Sequence, residues 1–286
     1  MNETAPAKVN LCLYLGPLCA DGRHELVSVM QSIELADRLA LRDHDGPVDE
    51  VRCAGVEGLN LAAGALAAFR AATGWDGPPQ LLEIEKRIPV AAGMGGGSAD
   101  AAAALRLIAR RSGLGSDREL HEIASTLGAD VPSQLRPGRV LATGFGEKLT
   151  PLPDPSPFGL LVLPSETSLS TAAVYAEADR LRLPRSAPEL ADILVALDPA
   201  APEPINDLAP AARALEPTIE VRLALALQAG ATNAMVCGSG PTVVGFFRTR
   251  RQAEDASRTL TESGIDAQAS SPHAQASIPL GTMEGR

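Results

Sequence analysis

The stretch Ile88–Leu105, IPVAAGMGGGSADAAAAL, holds three consecutive glycines followed by a serine and an alanine-rich run. The segment before it, LLEIEKRIP (81–89), alternates apolar and polar residues over LEIEK, which predicts a strand that ends at Pro89. The alanine-rich run predicts a helix from about Ser98 to Arg111. A strand, a glycine loop and a helix form an arrangement that binds phosphate, because bare backbone amides and the positive end of the helix dipole both attract an anion.

The glycine loop alone leaves several interpretations open. A Walker A loop needs a lysine after its glycines, and none follows here. The dinucleotide pattern GxGxxG fits Gly93–Gly97 only loosely, and no acidic residue ends a following strand at the right distance. A flexible hinge before a helix also accounts for the glycines. Ser98 would cap the helix or offer its hydroxyl to phosphate or a metal ion. The Asp100 carboxylate would interact favourably with the helix dipole, bind a metal ion or accept a hydrogen bond from a base amino group.

Composition limits the class of protein. The 286 residues suffice for one large or two small domains, and 45% hydrophobic with 21% charged residues is typical of a globular chain. A formal net charge of −10 argues against a nucleic-acid partner, although a local site can still hold an anionic substrate. No apolar stretch is long enough for a membrane span, no signal peptide opens the chain, and the four cysteines lack CxxC spacing. We therefore expect a cytoplasmic protein with free thiols and no bound metal of its own.

Strand and helix patterns alternate along both halves of the chain. The patterns predict a strand at 7–15, two extended runs within 25–42 that break near Ala36-Asp37, and two short strands within RVLATGFGEKLTPLP. Further strands are predicted in FGLLVLP and on either side of the glycine turn in ATNAMVCGSGPTVVGFF, and the tail beyond about 267 is expected to be loosely held. TPLPDPSPFG (150–159) carries four prolines and predicts a linker between two α/β-type domains. Helices are predicted at 61–74, 117–128, 170–181, 208–229 and 251–264.

Four further motifs make the chain resemble the GHMP kinase superfamily. They are APAKVNLCLYL (5–15), DGRHEL (21–26), GADVP (128–132) and CGSGPT (237–242), and the resemblance runs from about residue 5 to about 247. It implies a two-domain α+β fold. Residues 1–152 would form a domain like the second domain of ribosomal protein S5, with the ATP-binding glycine loop and the catalytic pair. Residues 153–286 would form a ferredoxin-like domain.

The resemblance also implies roles for individual residues. The family's catalytic pair falls on Lys8 and Asp130, where Asp130 would take the proton of the acceptor hydroxyl while Lys8 keeps it ionised and stabilises the developing charge. ATP would bring Mg²⁺ and lie over the glycine loop. The residues implied to bind ATP are Asn60, Pro89, Gly93, Gly95, Gly96, Gly97, Ser98 and Asp100.

Within the superfamily, the motifs are most similar to those of kinases whose small-molecule acceptor is a cytidine-diphosphate-linked methylerythritol. Those kinases phosphorylate its 2-hydroxyl in the non-mevalonate route to isoprenoid precursors. His24 would recognise the cytosine edge and Tyr175 would stack on the base. The residues implied to bind this substrate are Asn10, Arg23, His24, Thr171, Tyr175, Gly238, Ser239 and Gly240. We expect a monomer or a weak homodimer.

The chain departs from that family's pattern at three places. Arg23 stands where a tyrosine usually stacks on cytosine, although a planar guanidinium can stack as well. Ser133 and Gln134 stand where a bulky aromatic usually follows GADVP, and Ala91 and Ala92 stand where many members have glycine. The alternatives are therefore a kinase for another alcohol (mevalonate, homoserine or a sugar) and a GHMP-fold protein that binds nucleotide without catalysis. The missing ribose acid excludes a dinucleotide-dependent oxidoreductase.

Overall fold

The structure is a computed structural model that describes residues 1–56, 58, 60–90 and 92–273. Ala91, one of the two alanines that replace a family glycine, lies outside the described residues, as does the part of the tail from residue 274 onward. The described chain forms two sheets, one of six strands and one of four, with helices packed against both. The fold is α+β, as the family resemblance implies.

The first sheet is built on a long hairpin. Strands β1 and β2 pair antiparallel along most of their length, and the sheet continues on both sides of β2 in the order β3-β4-β2-β5-β6. Among the described strands of this sheet, β3 and β4 are the one pair that runs parallel. The strands are β1 (Asn2–Leu18), β2 (His24–Asp43), β3 (Glu50–Cys53), β4 (Gln80–Glu85), β5 (Arg139–Thr143) and β6 (Lys148–Leu152).

Helices cover one face of this sheet. Helix α2 packs on α1, α3 and the β1–β2 hairpin, and the buried side of the sheet meets it with leucine and isoleucine side chains. Four consecutive alanines of α2, residues 101–104, are fully buried, so the helix axis lies close to its neighbours. The helices are α1 (Leu61–Thr73), α2 (Gly96–Ser112), α3 (Asp117–Leu127) and the single turn α4 (Val131–Gln134).

The second sheet follows the chain order β-α-β-β-α-β, with α5 to α8 filling the first connection. Its strands are all antiparallel in the order β10-β7-β9-β8, which is the ferredoxin-like arrangement that the resemblance implies. The strands are β7 (Gly159–Leu163), β8 (Asn233–Val236), β9 (Val243–Phe247) and β10 (Gln268–Ser270). The helices are α5 (Thr171–Arg180), α6 (Ala187–Ala196), α7 (Ala209–Leu215), α8 (Ile219–Gln228) and α9 (Arg250–Glu262).

The two sheets share an apolar cluster. Val9 and Ile33 of the first sheet pack in one buried group with Leu160, Val162 and Val244 of the second. The proline-rich segment between β6 and β7 carries no regular element from 153 to 158, so the chain passes from one sheet to the other there. The division into two domains at residue 152 stays a prediction, since β1 contributes to the packing of both sheets.

Several sequence-based expectations were wrong in detail. Strand β2 runs unbroken through Ala36-Asp37, because the buried Asp37 carboxylate accepts from the backbone N–H groups of Arg87 and Ile88 at 2.6 and 2.8 Å. The predicted helix 208–229 is two helices, since Pro217 cannot continue the first one.

Two further differences lie at the ends of the chain. Strand β1 extends far beyond the predicted strand 7–15 because nearly all of it pairs with β2. Residues 268–273 are not loosely held: β10 pairs with β7, and the N–H of His273 donates to the carbonyl of Ser32 at 2.8 Å.

Candidate active site

Helix α2 starts at the glycine loop without a side-chain cap. Helix α2 begins at Gly96, and its N-cap, Gly95, has the left-handed φ of +69° and makes no side-chain capping bond. The prediction that Ser98 caps the helix was wrong, because the left-handed glycine starts the helix two residues earlier and places Ser98 inside its first turn. The first N–H groups of α2 therefore lack a side-chain cap, which suits them to an anion.

Three backbone segments meet at this loop. The N–H of Lys8 donates to the carbonyl of Met94 at 3.0 Å, which ties the loop to β1. A Cβ on Gly93 would lie 2.3 Å from the carbonyl oxygen of Cys237, and one on Gly238 would lie 2.9 Å from the carbonyl of Gly93. Both motifs therefore require glycine, because the two backbone segments approach each other closely. The turn at 237–240 lies directly against the glycine loop.

The predicted catalytic pair is formed. Lys8 Nζ lies 3.6 Å from Asp130 Oδ2 and donates to Asn10 Oδ1 at 2.9 Å. Asn10 Nδ2 in turn donates to Ser28 Oγ at 2.8 Å. The Lys8 side chain is 7% exposed and that of Asp130 is 33% exposed. The ammonium is therefore fixed in the interior of the site, while the carboxylate remains open to a ligand.

The pairing of β1 with β2 is irregular on both sides of Lys8. The register of β1 against β2 shifts between Pro6 and Lys8 and again between Asn10 and Cys12. Such bulges re-aim side chains and are common beside active sites. Lys8 and Asn10 lie two residues apart on one face of β1, where they share the 2.9 Å hydrogen bond, and Lys8 reaches Asp130.

Asp130 sits in the turn between α3 and α4. It precedes Val131, the first residue of α4, and the Ser133 hydroxyl donates to the Asp130 carbonyl at 2.8 Å. Arg106 of α2 donates to the backbone carbonyl of Gln134 at 2.5 Å. Ser133 and Gln134 are both buried. The two residues that depart from the family pattern thus help to hold the backbone of the Asp130 turn.

Asp100 belongs to a buried charge cluster that the sequence did not reveal. Lys86 Nζ donates to Asp100 Oδ2 at 2.8 Å and to Asp37 Oδ2. Burial is the main cause that raises the pKa of Asp100 to about 7, against the lowering effect of Lys86. A Cβ on Gly96 would lie 3.3 Å from Lys86 Nζ, so the ammonium lies directly beneath the start of α2. Nothing in the local pattern indicates that Asp37 and Lys86 meet, since 49 residues separate them.

Asn60 serves as a helix cap. Its Oδ1 accepts from the N–H of Ala62 at 2.9 Å and so starts α1. The contact of Asn60 with adenine and the binding of ATP by Pro89 stay predictions; both residues are half-buried.

The residues implied for the base and ribose come together on the other side of the site. The rings of His24 and Tyr175 lie 5.6 Å apart, and Thr171 Oγ1 lies 3.1 Å from Ser239 Oγ. Burial, together with the smaller effect of the nearby Asp130 charge, raises the pKa of Tyr175 to about 12. Tyr175 therefore keeps its proton, and it lies near the Asp130 carboxylate.

Arg23 is turned to other partners. Its guanidinium donates to Asp21 Oδ2 at 2.7 Å and lies 4.0 Å from the centre of the Phe145 ring. The side chain is largely exposed. Its predicted stacking on a base stays a prediction, and it would require the guanidinium to leave these contacts.

Asn206 is a structural member of the site that sequence reasoning missed. Its Nδ2 donates to the carbonyls of Val236 and Gly238 at 2.9 and 2.7 Å. Its Oδ1 accepts from the N–H of Leu208 at 2.9 Å. Asn206 therefore fixes the glycine turn against β1. The local sequence INDLAP indicates only a helix start, so no motif signal marks this role.

The described residues, 1–56, 58, 60–90 and 92–273, hold no group of three or more histidine, cysteine, aspartate or glutamate side chains that could bind a metal ion. Among those same residues, no helix has the length and apolar character needed to cross a membrane.

The comparisons with known proteins define the class to which this site belongs. The profile described as "GHMP kinases N terminal domain" matches residues 60–138, and the one described as "GHMP kinases C terminal" matches residues 183–266. The chain belongs to the GHMP kinase family. It is 41% identical over 274 residues to a protein of Anaeromyxobacter sp. (strain Fw109-5) named 4-diphosphocytidyl-2-C-methyl-D-erythritol kinase, covering 93% of this chain and 88% of that one.

Three further comparisons distinguish similarity to the particular kinase from similarity of the fold alone. A protein of the same name from Mycolicibacterium gilvum (strain PYR-GCK) is 39% identical, covering 91% of this chain and 86% of that one. The solved structure titled 4-(cytidine 5'-diphospho)-2C-methyl-D-erythritol kinase matches with a TM-score of 0.78 at 30% identity, over 95% of this chain and 98% of that one. The mevalonate kinase of L. major matches with a TM-score of 0.72 at 15% identity, over 96% of this chain and 97% of that one, which shows the shared fold alone.

Proposed function

We propose that this chain is an ATP-dependent kinase that phosphorylates the 2-hydroxyl of 4-diphosphocytidyl-2-C-methyl-D-erythritol, in the synthesis of isoprenoid precursors. The observation that carries the proposal is the contact of Lys8 with Asp130 beside the glycine loop. Relatives named for this reaction, at about 40% identity over most of the chain, support the choice of substrate. A non-catalytic nucleotide-binding protein would have no need of this pair.

We infer a task for each group from its position in the site. The half-open Asp130 carboxylate accepts the proton of the acceptor alcohol as the phosphoryl group is transferred. The Lys8 ammonium, 3.6 Å from Asp130 Oδ2, stabilises negative charge that develops on the attacking oxygen. The uncapped N–H groups at the start of α2 hold the ATP phosphates. Asn10 orients Lys8 through its 2.9 Å hydrogen bond.

Magnesium fits this site as a companion of ATP. Residues 1–56, 58, 60–90 and 92–273 form no acidic or histidine cage. A divalent ion would therefore be held mainly by the nucleotide phosphates, with the Ser98 hydroxyl as an additional ligand. When bound, the ion neutralises charge on the transferred phosphoryl group.

The acceptor would lie between the two sheets. Residues 1–152 supply the catalytic pair and the glycine loop, while Thr171, Tyr175 and the turn Gly238–Gly240 come from the second half of the chain. Arg23 is the observation that favours a second candidate, a kinase with another alcohol acceptor, since it replaces the usual stacking tyrosine and is held by Asp21 and Phe145.

The test measures ADP release from the purified protein with Mg-ATP and 4-diphosphocytidyl-2-C-methyl-D-erythritol. Mevalonate, homoserine, galactose and a control without acceptor run in parallel. Asp130→Asn should lower kcat by roughly 10²–10⁴-fold. Asp192→Asn, the same change at an exposed position of α6, should leave it unaltered. Turnover on a different acceptor would replace the proposed substrate, and an active Asp130→Asn variant would overturn the assignment of the base.

A further inference from the structure

The Ser28 side chain is fully buried in β2 and donates its one hydroxyl proton to the carbonyl oxygen of Cys12, 2.6 Å away. Because a carbonyl oxygen only accepts hydrogen bonds, that proton is committed, and the hydroxyl oxygen can only accept from its other polar neighbour. This neighbour is Asn10 Nδ2, at 2.8 Å. The Ser28 hydroxyl therefore fixes which end of the Asn10 amide faces β2.

The other end of the Asn10 amide faces the lysine of the predicted catalytic pair. Asn10 Oδ1 accepts from Lys8 Nζ at 2.9 Å, and an ammonium group can only donate. Lys8, Asn10, Ser28 and the Cys12 carbonyl thus form one chain in which every hydrogen bond runs in the same direction. The ammonium at one end and the carbonyl at the other require the same orientation of the amide.

This chain of hydrogen bonds crosses an irregular part of the sheet. The register of β1 against β2 shifts between Asn10 and Cys12, and the N–H of Val29 donates to Cys12 Sγ at 3.4 Å. The side chains of Lys8, Asn10 and Ser28 are at most 7% exposed. Bulk water therefore does not compete for these polar groups, and a group that loses its partner stays unpaired.

We propose that Ser28 is a positioning residue for phosphoryl transfer, which holds Lys8 at Asp130 by fixing the amide of Asn10. The inference rests on the proposed function, which gives the Lys8 charge its task. Without the Ser28 hydroxyl, Asn10 Nδ2 loses its acceptor, and the amide is free to turn a donor toward the ammonium. Lys8 Nζ then loses the acceptor that holds it 3.6 Å from Asp130 Oδ2.

The experiment compares Ser28→Thr with Ser28→Val, two β-branched side chains of similar shape that differ in the hydroxyl. Initial rates with Mg-ATP and 4-diphosphocytidyl-2-C-methyl-D-erythritol give kcat and KM. The kcat of Ser28→Val should lie roughly 10- to 100-fold below that of Ser28→Thr, since a misplacement of about 1 Å can cost about 100-fold in rate. The KM for ATP should be equal in both, because the N–H groups at the start of α2 take no part in this chain of hydrogen bonds.

A double-mutant cycle tests the route through Asn10. In an Asn10→Ala background the amide is gone, so Ser28→Thr and Ser28→Val should give equal kcat. The control is Ser270, a buried serine of β10 whose Oγ accepts from the N–H of Leu35 at 3.1 Å. Ser270→Thr and Ser270→Val should have the same kcat, and a difference there as large as at Ser28 would overturn the inference.

Equal kcat for Ser28→Thr and Ser28→Val would also overturn the inference and leave the proposed function standing. So would a difference that keeps its full size in the Asn10→Ala background, since Ser28 would then act by another route. If Ser28→Val does not fold, Ser28→Ala decides, and a kcat equal to that of the wild type would overturn the inference. A wild type without turnover on 4-diphosphocytidyl-2-C-methyl-D-erythritol would refute the proposed function itself.

Discussion

Replacing Gly93 by alanine should destabilise the protein and disable its glycine loop. Gly93 has a φ of +74°, and an added Cβ would lie 2.3 Å from the Cys237 carbonyl oxygen and 3.0 Å from the backbone N and O of Gly240. The left-handed conformation costs a residue with a Cβ about 1–2 kcal/mol. Forcing a methyl group against fixed backbone adds about 1–3 kcal/mol. The expected loss in the free energy of unfolding is therefore about 2–5 kcal/mol.

Gly113 provides a matched control. Its φ is +71°, almost that of Gly93, but an added Cβ would meet no heavy atom within 4 Å. Gly113→Ala should therefore lose only the conformational part, about 1–2 kcal/mol. The difference between the two variants isolates the cost of the close backbone approach.

The two variants should also differ in activity. The loop next to Gly93 is joined to β1 by the hydrogen bond from the Lys8 N–H to the Met94 carbonyl. Displacing the loop moves the start of α2 relative to Lys8, so the KM for ATP should rise in Gly93→Ala. Gly113 lies at the far end of α2, where the same substitution should leave the KM for ATP unchanged.

Urea unfolding of the wild type and both variants measures the free energies, and initial rates at varied ATP concentration measure KM. Equal destabilisation of the two variants would refute the argument that the backbone contact at Cys237 requires a glycine. A Gly93→Ala protein with unchanged KM for ATP would refute the link between that contact and the phosphate-binding loop.

Two further predictions concern buried polar groups. Because the pKa of Asp100 is raised, the folded protein binds a proton there more tightly than the unfolded chain, so this group lowers the free energy of unfolding as pH rises from about 4 to about 7. Urea unfolding across that range should show a smaller fall in Asp100→Asn than in the wild type. An unchanged slope of stability against pH would contradict the assignment. Asn206→Ala leaves the carbonyls of Val236 and Gly238 without their donor and should cost about 1–3 kcal/mol per group in unfolding experiments; a loss below 1 kcal/mol would show that water replaces the amide.

The sequence predicted best where function requires short, contiguous motifs. Strand β4, the glycine loop and α2 follow one another within 33 residues, so their pattern can be interpreted locally. The contact of Lys8 with Asp130 joins residues 122 positions apart, and it was predicted only because both lie in motifs of a known family. Spacing alone carries no information about such a contact.

Long-range polar contacts outside motifs could not be predicted. The sequence at Asp37 predicted a break in β2, because burying a carboxylate in a strand costs free energy unless distant groups bind it. Those groups are the N–H groups of residues 87 and 88 and the ammonium of Lys86. Asp179 likewise meets His24 across 155 residues, and neither neighbouring sequence indicates the contact.

The buried alanines of α2 set the accuracy with which this protein can place a phosphate group. Residues 101–104 contact neighbours on all sides of the helix, so any larger side chain would displace the whole helix sideways. Ala104 lies about 12 Å along the axis from the first residue of α2, at 1.5 Å per residue. A single methylene added at Ala104 would displace the helix, and the displacement would reach the anion-binding start of α2. Tolerance to mutation in this core should therefore be limited by catalytic alignment before it is limited by stability.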